Sequence, residues 1–411
     1  MPPARMHTPM PPPQEEGSEL SALINGPPTE SFRDNLRPDK KYITSWAAAG
    51  WTNDVMTYAN LIYLGSITDR IPIMPMFTPS HIGGHVPPIP FGEVFDVPRF
   101  VKESGIEILE WDEVKDPNSG LSTTWAVQNR EHFPRRSAVP GHLGLDISYT
   151  TAPEWIKLIP ESEHDKGSTF WSLARLSFPE ERARNIGKAV PSPLHNTTVD
   201  PDDHLLCFDY LYYVCAQQSS EWELDYAPMW RNVLRHLHWT ERIETITQVY
   251  LRNIFALPDD TTIPPFIAVH ARRGDFATNL CWEAKDPADC LPPLSVIQRR
   301  VMEVQEELRE RKGLDIPASR VIITGDEKDP AWWDQARALG WKTVDHETAG
   351  TAPVLGEWYP LLIDAAIQST AVGFVGTQHS TYSIVSRRRV ESWNDGSTRT
   401  VRIGYLGADD H

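Results

Sequence analysis

The sequence predicts an α/β fold of two domains, each built on parallel sheet, and three observations lead there. From Phe266 onward, short apolar runs alternate with helical patterns, which is the signature of βα units packed on a parallel sheet. Near the N-terminus the order strand, small-residue turn, helix, strand makes a βαβ opening. The chain has 411 residues, room for two ordinary domains, and 40% of them are hydrophobic, enough to fill two cores.

Taken in order, residues 1–38 read as a disordered, Pro-rich tail or stem, with Pro11-Pro12-Pro13, Pro27-Pro28 and little apolar periodicity. The N-terminal domain is expected over 39–245. Residues 42–46 form its first strand. Thr52 then caps a helix to about Thr68, with Val55, Met56, Ala59, Ile62 and Tyr63 on one stripe, and 71–74 is the second strand. Neither GxGxxG nor a Walker A loop is present, which disfavours an ordinary dinucleotide or P-loop site. A loop rich in Pro, Gly and His follows from about Pro75 to Pro98; Gly83-Gly84 between His81 and His85 argues against a helical metal pair. Residues 106–109 make another strand, and 112–199 read as irregular with short helices such as 179–186. Residues 205–208 return to strand, then 222–238 and 240–257 read as helices leading into a C-terminal domain over 246–411. There the strands 266–269, 321–324, 343–344 and 371–375 are each followed by a helix, at 294–311, 331–339, 361–369 and 380–389.

Charge narrows the partners. With 39 basic and 56 acidic residues the net charge is −17, which argues against nucleic-acid binding, since that rests on neutralising phosphates with Lys and Arg. Any anion site must be a local basic pocket in an acidic shell. No run approaches a membrane-spanning helix and no signal-peptide core is visible, so the chain reads as soluble, with membrane attachment only through an anchor missing from it. The four cysteines, Cys207, Cys215, Cys281 and Cys290, lie in two close pairs, compatible with two local disulfides or with four buried thiols. No CxxC occurs, which disfavours a zinc ribbon. Asn196-Thr197-Thr198 is the one N-glycosylation sequon, a motif that also arises by chance.

Three polar strand ends in the second half carry the chemistry: His270-Ala271-Arg272-Arg273-Gly274-Asp275, Thr324-Gly325-Asp326-Glu327, and Gly376-Thr377-Gln378-His379-Ser380-Thr381-Tyr382-Ser383. Parallel strands bring such ends to one edge, where α/β sheets bind ligands. Two guanidiniums beside a glycine suit a phosphorylated ligand. A helix beginning at Ser380 and Thr381 offers free N–H groups to the same anion, although a plain N-cap explains the serine equally well. Asp364 sits in the apolar stretch 361–367, so its carboxylate needs a partner, either a nearby arginine or the N1–H and N2–H₂ of a guanine. Asp200-Pro201-Asp202 spells DxD in a polar stretch and reads as chance; Arg273-Gly274-Asp275 spells an adhesion tripeptide in a place no receptor would reach.

The block His270-Ala271-Arg272-Arg273-Gly274-Asp275-Phe276, with Gly376-Thr377 and Ser380-Thr381-Tyr382-Ser383 about a hundred residues later, resembles the GDP-fucose protein O-fucosyltransferase family, and fungal members in particular. Ala49-Gly50-Trp51-Thr52-Asn53-Asp54 is similar to that family's segment at the first βα turn. The resemblance spans roughly Lys41 to Ile403. It implies a GT-B-like fold, two Rossmann-like domains facing a cleft, with GDP-fucose on the C-terminal side and the acceptor on the N-terminal side. It implies inverting transfer of fucose to a hydroxyl, of a protein Ser or Thr or of a glycan, or else a silent relative that only binds. Arg272 would stabilise the leaving diphosphate. His270, Ser380, Thr381, Tyr382 and Gly50 would line the donor, Asp364 would read guanine, and Asn53 would reach the donor across the cleft. Asp54, where many members carry a neutral residue, is either a general base or a helix-start acid favoured by the dipole. No metal or other cofactor is implied. A Cys281–Cys290 pair and the secretory pathway follow from the same resemblance.

Overall fold

The computed structural model describes residues 22–46, 49–128, 139–158, 167–281, 290–405 and 407–409. Two parallel sheets organise them. The first domain holds β1 (Tyr42–Ser45), β2 (Ile71–Met74), β3 (Leu109–Glu110), β4 (Ser122–Gln128) and β5 (Leu145–Thr151). A small pair, β6 (Ser168–Thr169) and β8 (Val214–Cys215), flanks β7 (Leu205–Phe208) in sequence but forms a separate ribbon. The six-stranded sheet runs β3-β2-β1-β7-β4-β5, with Thr44 of β1 opposite Ile73 and Cys207. The second domain holds β9 (Ile267–Ala271), β10 (Val321–Gly325), β11 (Lys342–Thr343), β12 (Gly373–Thr377) and β13 (Ser397–Val401), in the order β11-β10-β9-β12-β13. Counted within the domain, that is 3-2-1-4-5, the doubly wound order whose reversal lies between the first and fourth strands.

Helices cover the sheets for the expected reason. The central strands are buried on both faces; Tyr42, Ile43, Leu205, Leu206, Ile267 and Ala268 are fully enclosed. The helix Trp51–Ile67 is buried along most of its length and nearly all round, with the polar Asp54, Thr57 and Asn60 enclosed among its apolar residues. Leu294–Lys312 instead buries one stripe, Ile297, Val301, Val304 and Leu308, and ends at the left-handed Gly313.

Several boundaries differ from the sequence reading. The tail expected to be disordered to residue 38 is folded from Ala22 onward. Phe32 and Leu36, four apart, pack with Leu23 and Ile24 against Trp111 and β5, so this piece belongs to the first domain's core. The rest of that segment, residues 1–21, lies outside the described residues. The stretch 112–199 contains β4 and β5, the two longest strands of the sheet, rather than irregular chain only. The expected helix over 222–238 is broken into Glu221–Glu223, Pro228–Asn232 and Leu234–His236, with Pro228 at the first turn of the middle piece. The helix at Trp51 is capped by Gly50, not by Thr52. Glu241–Ile254 is one helix and packs on Tyr359–Thr370 of the second domain, so a boundary at 245 would cut it.

Candidate active site

The site is assembled by β9, β10 and β12, whose C-terminal ends lie side by side. Gly325 stands opposite Ala271 and Thr324 opposite His270, while Val375 of β12 pairs with Val269. The three polar strand ends therefore do converge, at the reversal point of the strand order. Thr377 ties two of them together: its hydroxyl donates to the His270 carbonyl (2.9 Å) and accepts from the Arg272 N–H (3.0 Å).

Arg272 projects from this edge in a fork of acids. Its Nε and Nη2 lie 2.8 and 2.9 Å from the Asp275 carboxylate, and its Nη1 lies 2.9 Å from Asp326. The side chain remains about a third exposed, so it is held in place yet reachable. Asp326 does more than pair with it. Its Oδ1 accepts the backbone N–H of Arg273 (2.7 Å) and Gly274 (2.9 Å), pinning the turn. A Cβ at Gly274 would stand 2.8 Å from the Asp326 carbonyl oxygen, which is why this close approach takes glycine. Arg273 points the other way, donating to Glu327 (2.6 Å) and to the Pro292 carbonyl (2.7 Å) beneath Trp332. It is a structural arginine.

His270 is buried, and burial together with the nearby Arg272 pushes its pKa down to about 3, with Asp326 opposing. The ring is therefore neutral. The Ser383 hydroxyl lies 2.8 Å from Nδ1 and itself accepts the Thr377 N–H (2.9 Å). The Ser383 hydroxyl and His270 Nδ1 share one hydrogen bond, so the Nε2 side of the ring carries whichever role the tautomer leaves.

The helix Thr381–Asn394 begins at Ser380, whose Oγ accepts the Ser383 N–H (3.3 Å). Ser380 is a true N-cap, and it is buried. Gly376 just before it is required by packing, since a Cβ there would stand 2.8 Å from Ser383 Cβ. Tyr382 is turned inward; its hydroxyl donates to the Leu361 carbonyl (2.6 Å) and its ring lies 4.8 Å from His270.

The first domain faces this edge with the start of its Trp51–Ile67 helix, itself just beyond the C-terminal end of β1. Thr381 Oγ1 donates to Asn53 Oδ1 (2.7 Å), and the Thr52 hydroxyl lies 2.7 Å from Thr381 Oγ1. Trp51 packs edge-on to Tyr382 and stacks on Trp239. Gly50, at the head of that helix, has His81 as its near neighbour. Asp54 is fully buried; its carboxylate accepts the Ala49 N–H (3.0 Å) and the Thr78 hydroxyl (3.4 Å). That closes the turn after β1 and places an acid on the helix dipole.

Asp364 lies on the helix Tyr359–Thr370 and pairs with His346 Nε2 (2.9 Å), not with an arginine. His346 Nδ1 meets the Thr351 hydroxyl (3.0 Å), which in turn meets Tyr250. Burial raises the Asp364 pKa and His346 partly offsets it. Nothing in the sequence marked His346, because it sits on an unpatterned loop. Asp326 lay within one of the three polar strand ends read from the sequence; its pairing with Arg272 is what the structure adds.

The remaining motifs have other duties. Cys281 and Cys290 are joined in a disulfide, and Cys207 and Cys215 are buried free thiols. Asp202 of the DxD pairs with Arg33 and caps the His204 N–H (2.8 Å). Among the described residues no cluster of three or more His, Cys, Asp or Glu has metal-ligand geometry, and no helix is long and apolar enough to cross a membrane.

Two parallel, Rossmann-like sheets whose C-terminal edges face one another define a GT-B-like architecture. Solved structures share it. POFUT1 in complex with GDP-fucose superposes with a TM-score of 0.53 at 16% identity, covering 90% of this chain and 99% of that one. POFUT1 in complex with GDP gives 0.52 at 14% identity, with the same coverage. No protein-family model matches the sequence, and no curated protein matches it.

Proposed function

We propose that this chain is an inverting glycosyltransferase that moves fucose from GDP-β-L-fucose to a hydroxyl, most simply a Ser or Thr of a protein. The observation that carries the reading is the convergence at one edge of Arg272, the neutral ring of His270 and the start of the Thr381 helix, met by Asn53 from the other domain. Such an edge suits a diphosphate sugar. The neighbours of the same fold that hold GDP and GDP-fucose add weight to the choice of donor.

In this reading the diphosphate lies against Arg272 and the N–H groups that open the Thr381 helix, with Ser380 holding that opening in shape. As the bond from C1 to the leaving oxygen breaks, negative charge grows on the β-phosphate. Arg272, already fixed by two carboxylates, neutralises it without having to reorganise. His270 lines the donor with a ring that remains uncharged. Asp364, held by His346, receives the guanine N1–H and N2–H₂. Tyr382 and Gly50 shape the pocket from behind, and Asn53 approaches from the acceptor side. The scheme needs no metal. Asp54 serves as the helix-start acid, since both its oxygens are occupied and enclosed, and not as the base. The disulfide fits passage through the secretory pathway.

A thermal-shift series with GDP, UDP and ADP tests the donor. GDP alone should stabilise the protein; no shift with GDP would remove the donor assignment. GDP-fucose hydrolysis that disappears in Arg272→Ala then separates an enzyme from a silent binder, and peptide against glycan acceptors separates the two transferase readings.

A further inference from the structure

We propose that Asn196 is an N-glycan acceptor, carrying an oligosaccharide that shields the apolar side chains left exposed beside the edge strand of the first sheet. The sequon is the starting point, but position decides. Asn196 is solvent-exposed where it closes the turn 193–195, with a left-handed backbone (φ 51°), and Thr197 and Thr198 after it are exposed too. Among the described residues its side-chain amide makes no hydrogen bond, so the nitrogen is available.

The turn is built to project. Ser192 at its base is buried; its carbonyl accepts the Asn196 N–H (3.0 Å) and its own N–H donates to the Thr197 carbonyl (2.9 Å). The Asp146 carboxylate accepts the N–H groups of Leu194 (3.1 Å) and His195 (2.8 Å), and Ser148 Oγ accepts that of Val199 (3.1 Å). Asp146 and Ser148 belong to β5, the outermost strand of the sheet. The turn is thus riveted beside the N-terminal half of an edge strand. The candidate cleft lies beyond the C-terminal ends of the strands, at the opposite edge, so a glycan here leaves it open.

The same place has something to cover. Val190, bridged to Tyr149 of β5, and Leu194 are among the large apolar side chains left exposed, at 58% and 54%. An edge strand with apolar neighbours is a template for aggregation, and proteins blunt such edges. A hydrophilic oligosaccharide rooted at Asn196 would do so. The disulfide between Cys281 and Cys290 is a second, separate sign of an oxidising compartment, where N-glycans are added.

The step is a transfer from a lipid-linked oligosaccharide diphosphate. The Asn196 amide nitrogen forms a bond to the sugar C1 as the bond from C1 to the phosphate oxygen breaks. The amide gives up one proton and the lipid diphosphate leaves.

The full chain, secreted from a eukaryotic host behind a cleavable leader, tests this. Release with peptide N-glycosidase in ¹⁸O-water should collapse the protein to a single lower mass and leave labelled aspartate at 196 in most molecules. Asn196→Gln and Thr198→Ala should each remove the modification, while Thr198→Ser keeps it, which separates loss of the site from misfolding. Secreted, disulfide-bonded protein with an unmodified Asn196 peptide would overturn the proposal. The unglycosylated variants should also aggregate at lower concentration than the parent.

Discussion

At the scale of single residues, the site is a set of constrained donors. Arg272 is the residue on which transfer should depend most: Arg272→Ala should lower the rate of GDP-fucose turnover by about 10²–10³, the usual loss when a preorganised charge partner is removed. Asp326→Asn should act through it. The variant keeps an oxygen for the Arg273 and Gly274 N–H groups but loses the charge that orients Nη1, so the catalytic rate should fall more than donor affinity. Asp54→Asn should leave turnover close to the parent and lower the melting temperature instead, because the carboxylate closes a turn. Steady-state kinetics beside calorimetry distinguishes these outcomes.

His270 gives a pH signature. Its native pKa, about 3, lies below the ordinary histidine value of 6.5, so between those values the unfolded chain binds the extra proton. Stability therefore rises with pH across that window and is lost as the pH falls from about 6.5 toward 3. His238, lowered to about 4 chiefly by burial, adds in the same sense. Glu110, raised by burial to about 7, opposes them above its usual 4.5. His270→Gln should flatten the acid side of a pH–melting curve, measured against the parent.

At the scale of elements, the second domain was legible because its strands are continuous apolar runs with helices between them. The strand ends at 270, 324 and 376 were legible for the same reason: each is where an apolar run stops. What was missed had buried polar residues. In β5, Leu145, Ile147 and Tyr149 alternate with Asp146, Ser148 and Thr150, yet all six are enclosed: the loop 190–199 satisfies Asp146 and Ser148, and Trp125 of β4 donates to Thr150. A search for apolar runs passes over such a strand. β13, Ser397–Val401, has no apolar run at all and joins only as an edge. The segment at 22–38 was hidden by its prolines, which outweighed Phe32 and Leu36. Since Phe32 is fully enclosed, Phe32→Ala should cost about 3–5 kcal/mol of unfolding free energy, read by denaturant titration, whereas a truly disordered tail would register nothing.

At the scale of the whole molecule, the two domains are stitched close to the site. Trp51, Trp239 and Phe95 form an aromatic stack reaching Tyr382. Trp358 Nε1 donates to the Pro87 carbonyl (2.8 Å), and Arg388 pairs with Asp225. Arg389 lies fully buried, 4.3 Å from Trp239 and 5.0 Å from Trp393, with burial lowering its pKa to about 9. With GDP at a hundred times its dissociation constant, the folded molecule should gain about 2.7 kcal/mol, visible as a concentration-dependent rise in melting temperature. Arg272→Ala should abolish most of that rise.

The hydrogen bond between Thr381 and Asn53 has a thermodynamic side. A hydroxyl has one proton to give, and in this state Thr381 gives it to the opposite domain. A phosphate oxygen that takes that proton must first break a bond holding the domains together. Occupancy of the donor pocket and the spacing of the domains are then two readings of one equilibrium, and the coupling runs equally in both directions. Thr52→Val, which removes the partner hydroxyl from the first domain, should change GDP affinity, and bound GDP should alter hydrogen exchange at the head of the Trp51 helix by the same free energy.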